Sequence, residues 1–530
     1  MDELSVDDDP TTVRWREWGT APFADARERS CPVLLSLTAT WCQPCREMDR
    51  TTYADPRVAA AVHDRFVPVR ADVDRRPRVR ERYHAGGFPT TAFLTPEGTV
   101  MTSAGALDAD TLRDVLDRVA ATYAERGDEA GRVPRALDGD SPPAGAVTPA
   151  IESHLAGQLE AQYDPDHGGW GTDAKFPLPR TLEFALKRDP PRADLAFDAV
   201  RDGLRDDDGG FFRFAANRDW TEPSREKPLD VEAGLCRAFA NAYLHTGDDG
   251  RRETATSVAS FLDEQLWTGA AFGGSVGADG RQDTTVYAGP NALAADALLA
   301  LAAYVDDEDA RERAVTALSY VDDRLVEDGA VWRYDADDAP PAPLDDRAHL
   351  VRAYARAGQV LGGDWADRAR TVADETIATL QTDDGSFRDG PAEGAGLLSR
   401  PLRPLDGNAG LANALLDLAA LTGDPRYREA AGDAVAAFAG AHERFGVQVA
   451  AYGAVAARLT DGGAPVVAVA DDPGSTLHRA ALRIADHEAV VRPNADGEPG
   501  TARVRTEGEE GWSEPATDPE ELMARVRERT

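Results

Sequence analysis

The sequence predicts a multidomain protein: an N-terminal α/β layer domain, a long all-α region of paired helices, and a small C-terminal α/β appendage. Three observations predict it. Between Trp15 and about Arg126, short apolar runs alternate with amphipathic stretches, the pattern of strands and helices packed in layers. From Thr148 to about Leu459 the chain becomes Ala/Leu-rich with helical periodicity, broken every 40–65 residues or so by Gly-aromatic loops. Beyond Leu459 the short apolar runs return.

In the first region the pattern predicts a helix over Ala21–Arg29, a strand over Val33–Leu37 and a helix opening at Pro44. A helix over Pro56–Arg65, a strand over Phe66–Val73 and a charged helix through Arg82 follow. Then come a strand over Thr91–Leu94, a turn at Pro96-Glu97-Gly98-Thr99 into another strand, and an amphipathic helix over Asp108–Ala124. Residues 1–10 are acidic and expected to be disordered, and 127–147, with Pro134, Pro142, Pro143 and Gly145, read as a polar linker. The predicted boundaries are 11–126, 148–460 and 461–530.

Twelve helices are predicted in the second region, at 148–163, 179–188, 192–204, 230–246, 251–266, 289–304, 310–326, 345–358, 365–380, 407–420, 425–438 and 447–459. The loops between groups carry His167-Gly168-Gly169-Trp170, Asp208-Gly209-Gly210-Phe211, Phe272-Gly273-Gly274, Asp384-Gly385-Ser386-Phe387 and similar text. Six such pairs can close into an (α/α)6 toroid; an open solenoid is the alternative. In the tail, Val466–Val469 and His487–Val491 read as strands, Ser475–Ala485 and Pro519–Arg527 as helices.

With 94 acidic against 58 basic residues the formal charge is -36, and only Lys175, Lys187 and Lys227 are lysines. That balance argues against nucleic acid and anionic membranes as partners, because phosphate contacts need cationic patches. Dispersed acid with few lysines points to adaptation to high salt, where screening reduces self-repulsion. The start has neither a basic n-region nor an apolar h-region, and four cysteines in 530 residues fit a reducing cytoplasm, so a soluble cytoplasmic protein is expected.

The chemistry concentrates at Trp41-Cys42-Gln43-Pro44-Cys45. A C-x-x-C between a short apolar strand and a helix places a thiol where helix amides favour its thiolate, lowering a pKa from about 8.5 to roughly 7 or below. The second cysteine is within reach to resolve a mixed disulfide. Half of a zinc site and two inert core cysteines are the alternatives, but zinc needs further ligands, and Cys31 and Cys236 are both unpaired in sequence. Cys31 reads as a strand-edge residue and Cys236, on an apolar helical pattern, as core. No metal or other cofactor is called for, and the expected partner is a protein or small-molecule disulfide.

Together with Gly87-Phe88-Pro89-Thr90 about 45 residues on, this motif resembles a thioredoxin domain. The resemblance implies that Cys42 is the exposed nucleophile, Cys45 the resolving thiol, and Pro89 a substrate-facing cis-proline, with Trp41 beside them. Ser36 stands where thioredoxins often carry a buried Asp, and Gln43 replaces the usual Gly. Further along, Tyr163-Asp164-Pro165-Asp166-His167-Gly168-Gly169-Trp170-Gly171 with Lys175-Phe176-Pro177 resembles the YyaL-like family. So do Gly209-Gly210-Phe211-Phe212-Arg213-Phe214, Asp219-Trp220 and Glu226-Lys227. That family, which includes the spermatogenesis-associated thioredoxin-domain proteins, joins a thioredoxin-like domain to a six-hairpin toroid.

This sequence departs from the family pattern at Pro223–Ala233, where a His and a Tyr-Asp-Asn are absent, and at Arg46, where relatives tend to have His. It also lacks a late cysteine pair, and it reads as a shorter, divergent branch. Toroids of this type in sugar hydrolases and epimerases hold carbohydrate in a central cleft, so a carbohydrate ligand, or a non-catalytic binding cleft, is a second expectation. Its candidate residues are Trp170, Lys175, Arg213, Asp219, Trp220, Glu226, Lys227, His349, Asp406 and Asn408. Paired carboxylates there would serve as acid and base. Against this, His245 and His349 lie within helical patterns, and Asp406-Gly407-Asn408 reads equally as a helix cap.

Overall fold

Val33–Leu37 form a run buried on both faces, as a central strand requires, and the N-terminal sheet is built around it. In the computed structural model, residues 11–138, 142–460, 463–509 and 511–529 are described. The acidic segment 1–10, with its expected disorder, lies outside them. The chain divides into two compact units. The first holds residues up to 141 together with 277–281 and 389–402; the second holds the rest.

The first unit runs β1 (Arg16–Glu17), α1 (Thr20–Arg29), β2 (Val33–Thr38), α2 (Gln43–Thr51), α3 (Pro56–Arg65), β3 (Val67–Asp72) and α4 (Pro77–Tyr83). It continues through β4 (Thr90–Leu94), β5 (Val100–Ala104), α5 (Ala109–Arg126) and a short α6 (Arg135–Asp138). The five strands lie in the order β1-β3-β2-β4-β5, with β2 parallel to β3 and antiparallel to β4. Asp55 and Asp108 cap α3 and α5 by accepting from Arg57 N and Thr111 N at 2.7 and 2.8 Å. β1, too short for a periodicity signal, pairs parallel with β3.

Two sequence-distant segments complete this unit. Asp389 takes Arg82 Nη1 and Nη2 at 2.5 and 3.1 Å and Arg78 Nε at 3.2 Å. Tyr83 OH accepts from Leu397 N at 2.8 Å and donates to Gly98 O at 3.0 Å. Arg82 is 3% exposed, so this ion pair is buried, and its chelating geometry supplies the compensation that a buried charge needs.

The second unit contains α7 (Pro149–Ala161), α8 (Pro179–Arg188), α9 (Pro190–Leu204), α10 (Leu229–Thr246), α11 (Asp249–Phe261) and α12 (Ala288–Val305). Then follow α13 (Glu308–Leu325), α14 (Leu344–Leu361), α15 (Trp365–Leu380), α16 (Leu405–Thr422), α17 (Pro425–Ala439) and α18 (Ala450–Leu459). Helices α8, α10, α12, α14, α16 and α18 pack each on the next, and α18 returns to α8. The array is therefore a closed (α/α)6 toroid and not an open solenoid. Ring helices such as α12 are buried all round and rich in alanine, which lets neighbours approach closely; the intervening helices bury one face. α12 is long and apolar enough to cross a membrane, yet most of that stretch is buried inside the ring. The stretch read as a single helix over 251–266 is α11 followed by a π turn at Leu262–Leu266.

Two-residue strands pin the loops: β6 (Phe214–Ala215) with β7 (Pro223–Ser224), β8 (Lys227–Pro228) with β9 (Ser275–Val276) and β10 (Gln282–Asp283), and β11 (Val326–Glu327) with β12 (Ala330–Val331). A repeated clamp holds the Gly-aromatic loops. Asn291, fourth residue of α12, accepts from Phe272 N at 2.8 Å and donates to Phe272 O and Tyr287 O at 2.9 Å each. Asn408, fourth residue of α16, does the same to Phe387 at 2.7 and 2.9 Å, with Pro404 O at 2.8 Å. Glu232, fourth residue of α10, accepts from Phe211 N at 2.8 Å. Buried backbone groups need partners, and these side chains supply them.

Within the same unit the tail forms β13 (Pro465–Val469), α19 (Thr476–Leu482), β14 (Val490–Arg492), β15 (Ala502–Thr506) and α20 (Pro519–Arg527). β13 is central, parallel to β14 and antiparallel to β15.

Candidate functional site

Cys42 ends the loop after β2 and caps α2; its Sγ accepts from Cys45 N at 3.1 Å. Pro44 sits in the first turn, where its missing N–H is not needed. Cys42 and Cys45 are joined as a disulfide with their Cα atoms 5.3 Å apart. On reduction, the same N–H and the helix dipole would favour the thiolate form of Cys42. Pro89 follows a cis peptide bond and leads into β4, whose Thr90 pairs with Leu37 near the end of β2. The proline therefore stands at the sheet end that carries the dithiol. Trp41 donates from Nε1 to Asp74 at 2.7 Å and meets the Phe88 ring edge-on at 5.6 Å.

The expectation of an exposed nucleophile is corrected: Cys42 is 2% exposed and Cys45 4%. A turn at 277–281 lies over this region. A Cβ on Gly277 would stand 3.5 Å from the Trp41 Cα, and Asp279 forms an ion pair with Arg46 at 2.8 Å. Arg46, the residue that stands where relatives tend to have His, thus has a partner that motif reading missed.

Ser36 is 4% exposed and lies opposite Arg70 on β3 and Thr91 on β4. Thr91 Oγ1 meets Tyr53 OH at 2.9 Å. The buried carboxylate nearby is Asp49 on α2, ion-paired to Arg70. Polar contacts among Ser36, Thr91 and Tyr53 thus occupy the place of a buried acid. Cys31 and Cys236 are free thiols, both buried. Burial pushes the Cys236 thiol up to about 12, with Glu232 adding to it, so this thiol stays protonated.

The loop motifs of the toroid serve as packing. Trp170 Nε1 donates to Leu159 O at 3.0 Å and Trp220 Nε1 to His167 O at 2.9 Å. Lys175, fully buried, donates to Asp164 at 2.8 Å and to Gly168 O and Gly171 O at 2.9 Å each. Lys227 is bound by Asp206 and Asp208 at 2.7 and 2.6 Å. Glu226 accepts from Ser224 and lies 3.4 Å from Arg213, and Asp219 accepts from Thr221. Asp406 is exposed at the start of α16, next to the clamp residue Asn408.

Of the candidates above, only His349 lines the cavity at the ring's centre. It accepts from Arg180 at 2.8 Å, and burial with Arg180 nearby holds it well below its usual range, hence neutral. The cavity has an empty volume of about 750 Å³, solvent at its mouth included, and is lined from α8, α10, α14, α16, α18 and the segment 487–489. Most of its charged groups, among them Glu183, Arg237, Arg352, Arg356, Asp417 and Arg458, were missed. The available signal was charge at helical spacing inside alanine-rich stretches, as in Arg352, Arg356 and Gln359.

Residues 6–137 match the family described as Thioredox_DsbH, "Protein of unknown function, DUF255". Spermatogenesis-associated protein 20 of Homo sapiens is 27% identical over 295 residues, covering 48% of this chain and 37% of that protein. The match thus spans little more than a third of that relative's length. Thioredoxin-1 of Drosophila melanogaster is 34% identical over 74 residues, 14% of this chain and 66% of that one. Among solved structures, cellobiose 2-epimerase from Spirochaeta thermophila DSM 6192 covers 54% of this chain and 83% of its own, with TM-score 0.45 and 20% identity. The human match is longer than the N-terminal unit and so includes part of the second unit. Over these stretches the chain is similar to the DUF255 thioredoxin-like family and to the spermatogenesis-associated thioredoxin-domain proteins.

Proposed function

We propose that the protein is a thiol–disulfide oxidoreductase acting through Cys42 and Cys45, and that its toroid binds or selects the partner. The observation that carries this is the Cys42–Cys45 disulfide at the N-terminus of α2, at the sheet end that also carries Pro89. In the reduced protein the Cys42 thiolate attacks a substrate disulfide, forming a mixed disulfide and releasing one substrate thiolate. The Cys45 thiolate then attacks Cys42 Sγ, releasing the second. Two electrons pass to the substrate, solvent protons complete its thiols, and the protein is left as the disulfide seen here. A dithiol reductant restarts the cycle.

Because Cys42 is 2% exposed, small disulfides are favoured over folded protein ones. A sugar-processing reading of the ring would call for unengaged carboxylates at its centre. Glu183 is engaged by Arg237 and Asn241, and Asp417 by Arg458.

The test is dithiothreitol-driven reduction of glutathione disulfide and of insulin, run in molar salt as the acidic composition advises. Wild type should accelerate the first more than the second, and Cys42→Ser should abolish both. Equal rates for wild type and Cys42→Ser would overturn the proposal.

A further inference from the structure

Three arginines converge on one buried carboxylate. Asp296 on α12 is 1% exposed; it accepts from Arg237 Nη1 at 2.8 Å and Arg356 Nε at 3.1 Å, and Arg352 Nε stands 3.2 Å away. Arg237 is fully used, because its Nε and Nη2 donate to Glu183 at 2.8 and 2.9 Å. Arg352 and Arg356 are different. Beyond Asp296, neither makes a hydrogen bond to any described residue, although their side chains are only 18% and 8% exposed. Arg352 Nε is itself buried without an acceptor in hydrogen-bond geometry.

The two lie one helical turn apart on α14, and both line the ring cavity. The carboxylates of that cavity are already taken: Glu183 by Arg237, Asp417 by Arg458 at 2.7 Å, and Glu488 by Lys187 and Arg188 at 2.8 and 2.6 Å. What faces the empty space unspent is donor capacity. A buried guanidinium donor left without a hydrogen-bond acceptor, as at Arg352 Nε, is destabilising. Burial, with Arg237 beside it, accordingly holds Arg352 below its ordinary range. Such an arrangement is kept where an incoming acceptor relieves it, a case of stability given up for binding.

We propose that the centre of the toroid is a binding site for a small oxyanion, a carboxylate or a phosphate monoester, gripped by the Nη groups of Arg352 and Arg356. Guanidinium forks match both groups bidentately, and charge-assisted hydrogen bonds are the strong ones. The cavity opens to solvent at its mouth, which gives a small anion a way in. The site stands independently of the dithiol.

The test is calorimetric titration of the full chain with inorganic phosphate, glucose 6-phosphate, glucuronate and, as the uncharged control, glucose. At least one charged probe should bind, and the phosphate and carboxylate arms identify which oxyanion is preferred. Arg352→Gln and Arg356→Gln should each weaken it tenfold or more. The unliganded melting temperature of Arg352→Gln should equal or exceed that of wild type, since a structural ion pair would lower it. Absence of binding by every charged probe at millimolar concentration would overturn the site. So would equal affinity for glucose, unchanged affinity in both variants, or a lowered melting temperature for Arg352→Gln.

Discussion

Asp279 reaches Arg46, the residue directly after the second cysteine, with 2.8 Å between Oδ2 and Nη2. The other Arg46 amino group donates to Thr40 O at 2.5 Å, so one guanidinium ties the turn at 277–281 to the loop before the dithiol. The Asp279 side chain is 39% exposed, and such a pair contributes about 1 kcal/mol or less. It can open locally without unfolding. Asp279→Ala is expected to speed reduction of the Cys42–Cys45 disulfide by a small dithiol several-fold, read as thiol release over time. An unchanged rate would mean that the turn does not limit access.

The clamps on the Gly-aromatic loops predict a stability effect without an activity effect. Asn291→Ala or Asn408→Ala strands a buried Phe backbone N–H and C=O, each variant losing about 1–3 kcal/mol. Denaturant midpoints measure it. Disulfide-reduction rates under native conditions should match wild type, because both clamps lie outside the unit that carries the dithiol.

Lys175 offers a sharper case, because arginine should not replace it. Its ammonium donates to Asp164 and to two glycine carbonyls in three directions, which a planar guanidinium cannot match in that space. Burial opposes ionisation of Asp164, but Arg218 and Lys175 together hold its carboxyl well below the usual range. Lys175→Met leaves that carboxylate short of a partner and should cost about 3–5 kcal/mol. Lys175→Arg should also be clearly destabilised, by overpacking of about 1–3 kcal/mol. A melting temperature for Lys175→Arg equal to wild type would refute the packing argument.

His487 predicts the acid limb of stability. Burial pushes it down to about 3; Glu488 and Asp486 pull it up, while His245, 2.8 Å away, and Lys187 push it down. In the unfolded chain it titrates near 6.5. Between those values the unfolded state binds the extra proton, so stability falls as pH drops from about 6.5 towards 3, by at most about 1.4 kcal/mol per unit. His487→Asn should flatten the curve of melting temperature against pH over that window. The same slope in the variant would assign the acid limb to other groups.

The ring helices were legible to within a few residues because they carry apolar helical periods, several of them closed by Gly or Pro, as at Thr422-Gly423 after α16. β15 was not, since Ala502-Arg503-Val504-Arg505-Thr506 alternates with arginines and owes its strand state to pairing with β13. The dithiol was legible in local sequence; its burial was not, because Asp279 and Asp389 reach the first unit from far along the chain. The toroid candidates drawn from motif text, Trp170, Lys175, Trp220 and Asn408, hold loops in place. A motif recurs for packing as readily as for chemistry. The charged cavity was hidden because arginines in a helix read as solvent-facing until the ring closes around them.

All three lysines are bound to carboxylates: Lys175 by Asp164, Lys187 by Asp486 and Glu488, Lys227 by Asp206 and Asp208. Succinimide esters and lysine-directed cross-linkers need a neutral, accessible amine. They will find these side chains only when the ion pairs separate. Amine labelling of the native protein therefore becomes a gauge of opening: the order in which Lys187, Lys227 and Lys175 acquire the tag reports the order in which their surroundings come apart.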